Sequence, residues 1–90
     1  VKRLRWNHEK NDLLVETRGI SFERVAYHIA KDEILEVREH PNQARYPEQK
    51  IFILDLDDYV YLVPFVENEE EIFLKTIIPS RKARKELKDD

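Results

Sequence analysis

The sequence predicts a one-domain α+β fold: two N-terminal helices, a four-stranded antiparallel sheet and a basic C-terminal helix. Three observations predict it. Helical spacing and a single glycine stop organise residues 8–30. Apolar runs separated by short turns fill residues 50–78. A serine then opens a tail rich in lysine and arginine. Ninety residues are enough for one hydrophobic core and not for two.

Asn7 is placed to cap a helix over about residues 8–18, with Leu13 and Leu14 at helical spacing, and Gly19 sits where a helix ends in a left-handed residue. Ser21 caps the next helix. Ile20 and Val25 fall at the two positions of a hydrophobic staple, and Phe22, Val25, Ala26 and Ile29 form an apolar face. Residues 34–37 are β-compatible. A turn at His40-Pro41-Asn42 begins a loop that runs to Pro47, and strands follow at Lys50–Leu56, Tyr59–Val66 and Glu71–Ile78. Asp57-Asp58 reads as a tight turn without the usual glycine, and Pro64, which cannot donate to a ladder, marks an edge or a bulge. Ser80 caps a last helix over Arg81–Lys88, giving the order ααββββα. Alternation puts Val60, Leu62, Pro64 and Val66 on one side of their strand and Tyr59, Tyr61, Val63 and Phe65 on the other. One side must meet the helices. The open side is then expected to carry aromatics and Lys75.

Composition excludes several functions. With 41% apolar and 39% charged residues the chain is too apolar for disorder and too charged for a membrane protein. The basic start, Val1 to Arg5, has no apolar stretch behind it and does not read as a secretion signal, so a cytoplasmic location is expected. There is no cysteine, hence no disulfide, thiolate nucleophile or cysteine-bound zinc. One glycine cannot build a phosphate-cradling loop. Asp55-Leu56-Asp57-Asp58 lacks the glycine and distal glutamate of a calcium loop. Glu71 and Lys75 lie about 13 Å apart along one strand face, too far for a shared metal site. No cofactor or metal is expected. The net charge of −3 argues against a general nucleic-acid coat, but the charge is polarised. Asp55, Asp57, Asp58, Glu67, Glu69, Glu70 and Glu71 crowd one stretch without a base, whereas Arg81, Lys82, Arg84, Lys85 and Lys88 crowd the tail.

Two stretches resemble the BrnT family of bacterial toxins. One is Leu4-Arg5-Trp6-Asn7-His8-Glu9-Lys10-Asn11 with Arg18-Gly19-Ile20-Ser21-Phe22-Glu23. The other is Ile77-Ile78-Pro79-Ser80-Arg81-Lys82-Ala83, similar to the family's Ile-Ile-Ser-Ala-Arg-Lys-Ala ending. The resemblance implies a RelE-like fold and a ribonuclease-type toxin that blocks translation. It also implies a cognate antitoxin, expected to be a ribbon-helix-helix DNA-binding protein. A homodimer and a hetero-oligomer with the antitoxin are both compatible with the sequence.

Metal-independent RNA cleavage needs cations to hold phosphate and a group to move a proton. The catalytic candidates are Arg81, which begins the last helix and matches the family's arginine, Lys75 in the last strand, and His40, a residue that titrates near neutrality, in the long loop. Arg45, Lys82 and Arg84 are candidate phosphate contacts, and Tyr46, Tyr59 and Tyr61 candidate base-stacking residues. From a different class, the chain also reads as a non-catalytic binding module whose basic face docks an acidic partner segment.

Overall fold

Asn7 and Ser21 open the first two helices as their context predicts: Asn7 accepts from the Lys10 amide and Ser21 from the Arg24 amide, while Gly19, at φ 67°, ends the first helix in the left-handed region. The computed structural model describes residues 2–88, with side chains as far as residue 85. Lys88 of the basic tail therefore has its side chain outside the described residues. The chain runs β1 (Arg3–Trp6), α1 (His8–Arg18), α2 (Phe22–Ala30), β2 (Ile34–Glu39), β3 (Lys50–Leu56), β4 (Tyr59–Glu67), β5 (Glu71–Leu74), β6 (Ile78–Pro79) and α3 (Arg81–Lys88).

The architecture is α+β, but the sheet is mixed and larger than four strands. Its order is β1-β5-β4-β3-β2, with β6 also on β4. β1 is the unforeseen strand. It lies parallel to β5, Leu4 opposite Ile72 and Trp6 opposite Leu74. Four residues alternating Arg-Leu-Arg-Trp carry a period-two signal too short to stand alone, and their partner lies at the other end of the chain. The last predicted strand, 71–78, is split. β5 ends at Leu74, so Lys75 follows the strand instead of sitting within it, and pairing resumes at Ile78 opposite Leu62. Pro64 explains the break. Its carbonyl accepts from the Lys75 amide at 2.8 Å, so its donor-less nitrogen faces the gap between β5 and β6.

The sheet is covered on both faces. Against one, α1 and α2 pack Leu14, Ile20, Phe22 and Val25 onto Phe52, Leu54, Leu56, Val63, Phe65, Leu74 and Ile77. Against the other, α3 sets Ala83 onto Ile53 and Val60, flanked by Ile51 and Leu62. The tyrosine side of β4 is therefore the side packed by α1 and α2: Tyr61 rests on the main core and the Tyr59 ring lies tilted against Tyr61 at 5.4 Å. This reverses the expectation that the open face carries the aromatics, because Val63 and Phe65 share that side and supply the larger apolar area for two helices to bury.

The β3–β4 turn is Asp57-Asp58, both left-handed at φ 54° and 63°. Aspartate tolerates this region better than most residues. Arginines reach the turn from the helices on both sides of the sheet. Arg24 of α2 pairs with the Asp57 carboxylate, and Arg84 of α3 donates to the Asp58 carbonyl at 3.3 Å.

Asn11 is the buried polar residue that joins the helices. Its amide oxygen accepts from the Phe22 backbone N–H at 2.7 Å and its amide nitrogen donates to Glu23 at 2.6 Å. The Phe22 amide is one of the orphan donors of a helix start, and here a side chain from α1 satisfies it. The Asn11 hydrogen bond, followed by one to the Glu23 backbone, holds the Glu23 carboxyl below the usual range against the opposing effect of burial, and His8 adds a favourable charge. At the far end, Lys2 and Lys50 do the same for Glu67.

Asn11→Ala leaves the buried Phe22 amide unpaired and is expected to cost about 2 kcal/mol in urea unfolding. A depressed carboxylate contributes stability that is present above its unfolded value, about 4.3, and is lost as pH falls through its folded value. Glu23→Gln is therefore expected to flatten the loss of stability below about pH 4, measured by unfolding across pH; an unchanged acid limb contradicts the Asn11–Glu23 assignment.

Candidate nucleic-acid interface

The face that α3 only partly covers holds a groove. Its floor is Ile51, Ile53, Leu62 and Ala83; Arg38 and Glu39 of β2 with Pro41 just beyond it form one wall, and Ser80 and Lys82 the other. It encloses about 310 Å3. Register explains the floor. Ile53 faces Leu62 and Ile51 faces Pro64 across the β3–β4 ladder, so odd positions of β3 and even positions of β4 share this side. Arg38 stands opposite Ile51 on β2 and pairs with Glu36. The far wall is fixed by Ser80, whose amide donates to the Val60 carbonyl at 2.9 Å and whose hydroxyl accepts from the Ala83 amide at 3.1 Å. An apolar floor with Lys82 on one rim, facing a wall where Arg38 stands with Glu36 and Glu39, can take a planar base below and a phosphate at the Lys82 rim.

Of the residues singled out from sequence, Lys82 lines the groove. Arg81 is exposed at the first position of α3, beside it. Lys85 is exposed further along the same helix. Arg84 is engaged with Asp58, its Nη2 lying 3.7 Å from that carboxylate. Lys75 lies elsewhere. Its amide meets Pro64 whereas that of Ser80 meets Val60, four residues along β4 or roughly 13 Å. Its ammonium sits 5.9 Å from the Phe73 ring. Tyr59 and Tyr61 belong to the opposite face.

The loop between β2 and β3 is closed by the His40 amide donating to the Gln49 carbonyl at 2.9 Å. Within it the His40 ring lies 4.4 Å from the Tyr46 ring, and the Arg45 guanidinium lies 5.4 Å from the centre of the same ring. His40 Nδ1 accepts from the Asn42 backbone N–H at 3.0 Å, which leaves Nε2 as the nitrogen free to carry or give a proton. His40 thus follows Glu39 and precedes Pro41 on the groove wall while its ring turns onto Tyr46.

The sequence reading missed Arg38 and the groove floor. A signal existed: Glu36 and Arg38 alternate with Val37, but ending the strand at Val37 put Arg38 in the loop. A second hollow, between α2 and β1, is lined by Leu4, Ala26, Tyr27, Ile29, Ala30 and Ile72, with Lys2 and Glu23 at its rim. Among the described residues no three His, Asp or Glu side chains are grouped to hold a metal ion, and no helix is long and apolar enough to cross a membrane. No family model, curated protein or solved structure matches the chain.

The Asn42 contact predicts that neutral His40 is the Nε2–H tautomer, which long-range nitrogen–proton NMR correlations distinguish directly. The Nδ1–H tautomer contradicts the loop geometry.

Proposed function

We propose that the chain is a toxin of the BrnT type with a RelE-like fold: a metal-independent endoribonuclease that inhibits translation by cutting RNA in the cytoplasm. A cognate antitoxin, a ribbon-helix-helix DNA-binding protein, holds it inactive. The observation that carries this reading is the groove under α3, an apolar floor bordered by Lys82 and Arg38 with Arg81 beside it. The two sequence motifs that resemble the family support it independently.

In this reaction the ribose 2′-hydroxyl attacks the adjacent phosphorus, and the 5′-oxygen of the next nucleotide leaves. The enzyme must hold the strand in line, take and return a proton and stabilise charge on the phosphate oxygens. Lys82 is assigned to phosphate at the groove rim and Arg81 to the same strand beside it. Arg's planar donors suit bidentate phosphate contact. His40, through Nε2, is assigned the proton transfer, and Arg45 and Tyr46 extend the RNA path along the loop. Lys75, which lies elsewhere on the sheet, takes no part in this assignment.

A second reading is favoured by one observation. The His40 ring lies tilted against Tyr46 and its Nδ1 is already used, which suits a non-catalytic module whose basic wall docks an acidic protein segment.

Purified chain is expected to cut single-stranded RNA in EDTA and to leave 2′,3′-cyclic phosphate ends. Lys82→Ala and Arg81→Ala are each expected to slow cutting about a hundredfold, while Lys31→Ala, at the C-cap of α2, leaves the rate unchanged. Binding of an acidic peptide without any RNA cutting selects the module.

A further inference from the structure

β2 is an edge of the sheet: among the described residues it pairs with β3 alone. Edges are normally blunted by proline, by scattered charge or by a cover. Here the strand lacks proline and carries its charges at Glu36, Arg38 and Glu39, while Leu35 and Val37 are 48% and 49% exposed. A bulge lies between Ile34 and Glu36, and from Glu36 to Glu39 the strand is regular.

The direction of its free hydrogen-bonding groups follows from one contact. Glu39 is paired with Lys50, and at the next step the His40 amide donates to Gln49. Antiparallel ladders alternate, so residues 36, 38 and 40 turn their backbone groups toward β3, and Val37 and Glu39 turn theirs outward. A second copy of β2, laid antiparallel about a two-fold axis through Val37, meets this edge in register. Val37 faces Val37 and both exchange backbone hydrogen bonds. Glu36 of each copy then faces Arg38 of the other, in the non-hydrogen-bonded pair where side chains approach closest. Glu36 and Arg38 already form an ion pair within the chain. The two copies would close a square of alternating charges, two pairs within chains and two between.

We propose that β2 is a self-recognition edge and that the chain forms a two-fold dimer through it, extending the sheet across both copies. At Glu36 and Arg38 the strand is self-complementary in charge in this register, which selects a second copy over an unrelated strand. The axis stands normal to the sheet, so both α3 grooves, each walled by Arg38, open on the same side. The dimer does not rest on the ribonuclease reading.

Sedimentation equilibrium of the purified chain is expected to give twice the 10.9 kDa chain mass. Glu36→Arg and Arg38→Glu each set like charges across the axis and are expected to weaken dimerisation about tenfold or more. An equimolar mixture of the two variants restores every cross-pair and is expected to recover the dimer, as is the double variant. Val37→Pro removes only an outward-facing donor and is expected to give a monomer with unchanged circular dichroism. A wild-type monomer at high micromolar concentration overturns the proposal. So do single variants that dimerise undiminished, or a mixture that fails to recover.

Discussion

One asparagine sets how the layers can be arranged. By accepting from the first amide of α2 and donating to Glu23, Asn11 fixes the two N-terminal helices as a single body. That body is broad enough to cover the Phe52, Val63 and Phe65 side of the sheet. Its end is tied down by Arg18, which donates to the Ile77 carbonyl. With both N-terminal helices committed to one face, the other is left to the single eight-residue α3, whose buried contact with the sheet, among the described residues, is the small Ala83. A short helix on a wide face leaves a groove, and the groove is where the candidate chemistry collects.

The same division explains the paired arginines at the β3–β4 turn. A turn of two left-handed aspartates has no glycine to ease it, and Arg24 and Arg84 come to it from opposite layers. The turn joins the two helical layers electrostatically, and it occupies Arg84, which removes one cation from the groove. Exposed pairs of this kind contribute little each. The Arg84 contact sets α3 beside the β3–β4 turn.

Much of the fold was legible because its signals are local. The caps at Asn7 and Ser21, the glycine stop, the two long strands β3 and β4 and the basic last helix each announce themselves within a few residues. β1 was not legible, because four alternating residues gain meaning only beside β5. The faces of β4 were misassigned for a similar reason. Both sides of Tyr59–Val66 are apolar, and periodicity cannot say which side two helices will take. The candidate site was half legible. The basic run pointed to α3, but Arg38 and the isoleucines of β3 reach the groove only through strand register, and Lys75 is carried away by the break at Pro64.

The central claim is that the surface under α3 is where a nucleic acid is held. The most direct measurement is NMR shift mapping with a short RNA whose 2′-hydroxyls are methylated, so that it binds without being cut. The account predicts saturable shifts at Arg38, Ile51, Ile53, Leu62, Lys82 and Ala83. Shifts confined to the hollow between α2 and β1, or none at all at low salt, would contradict it.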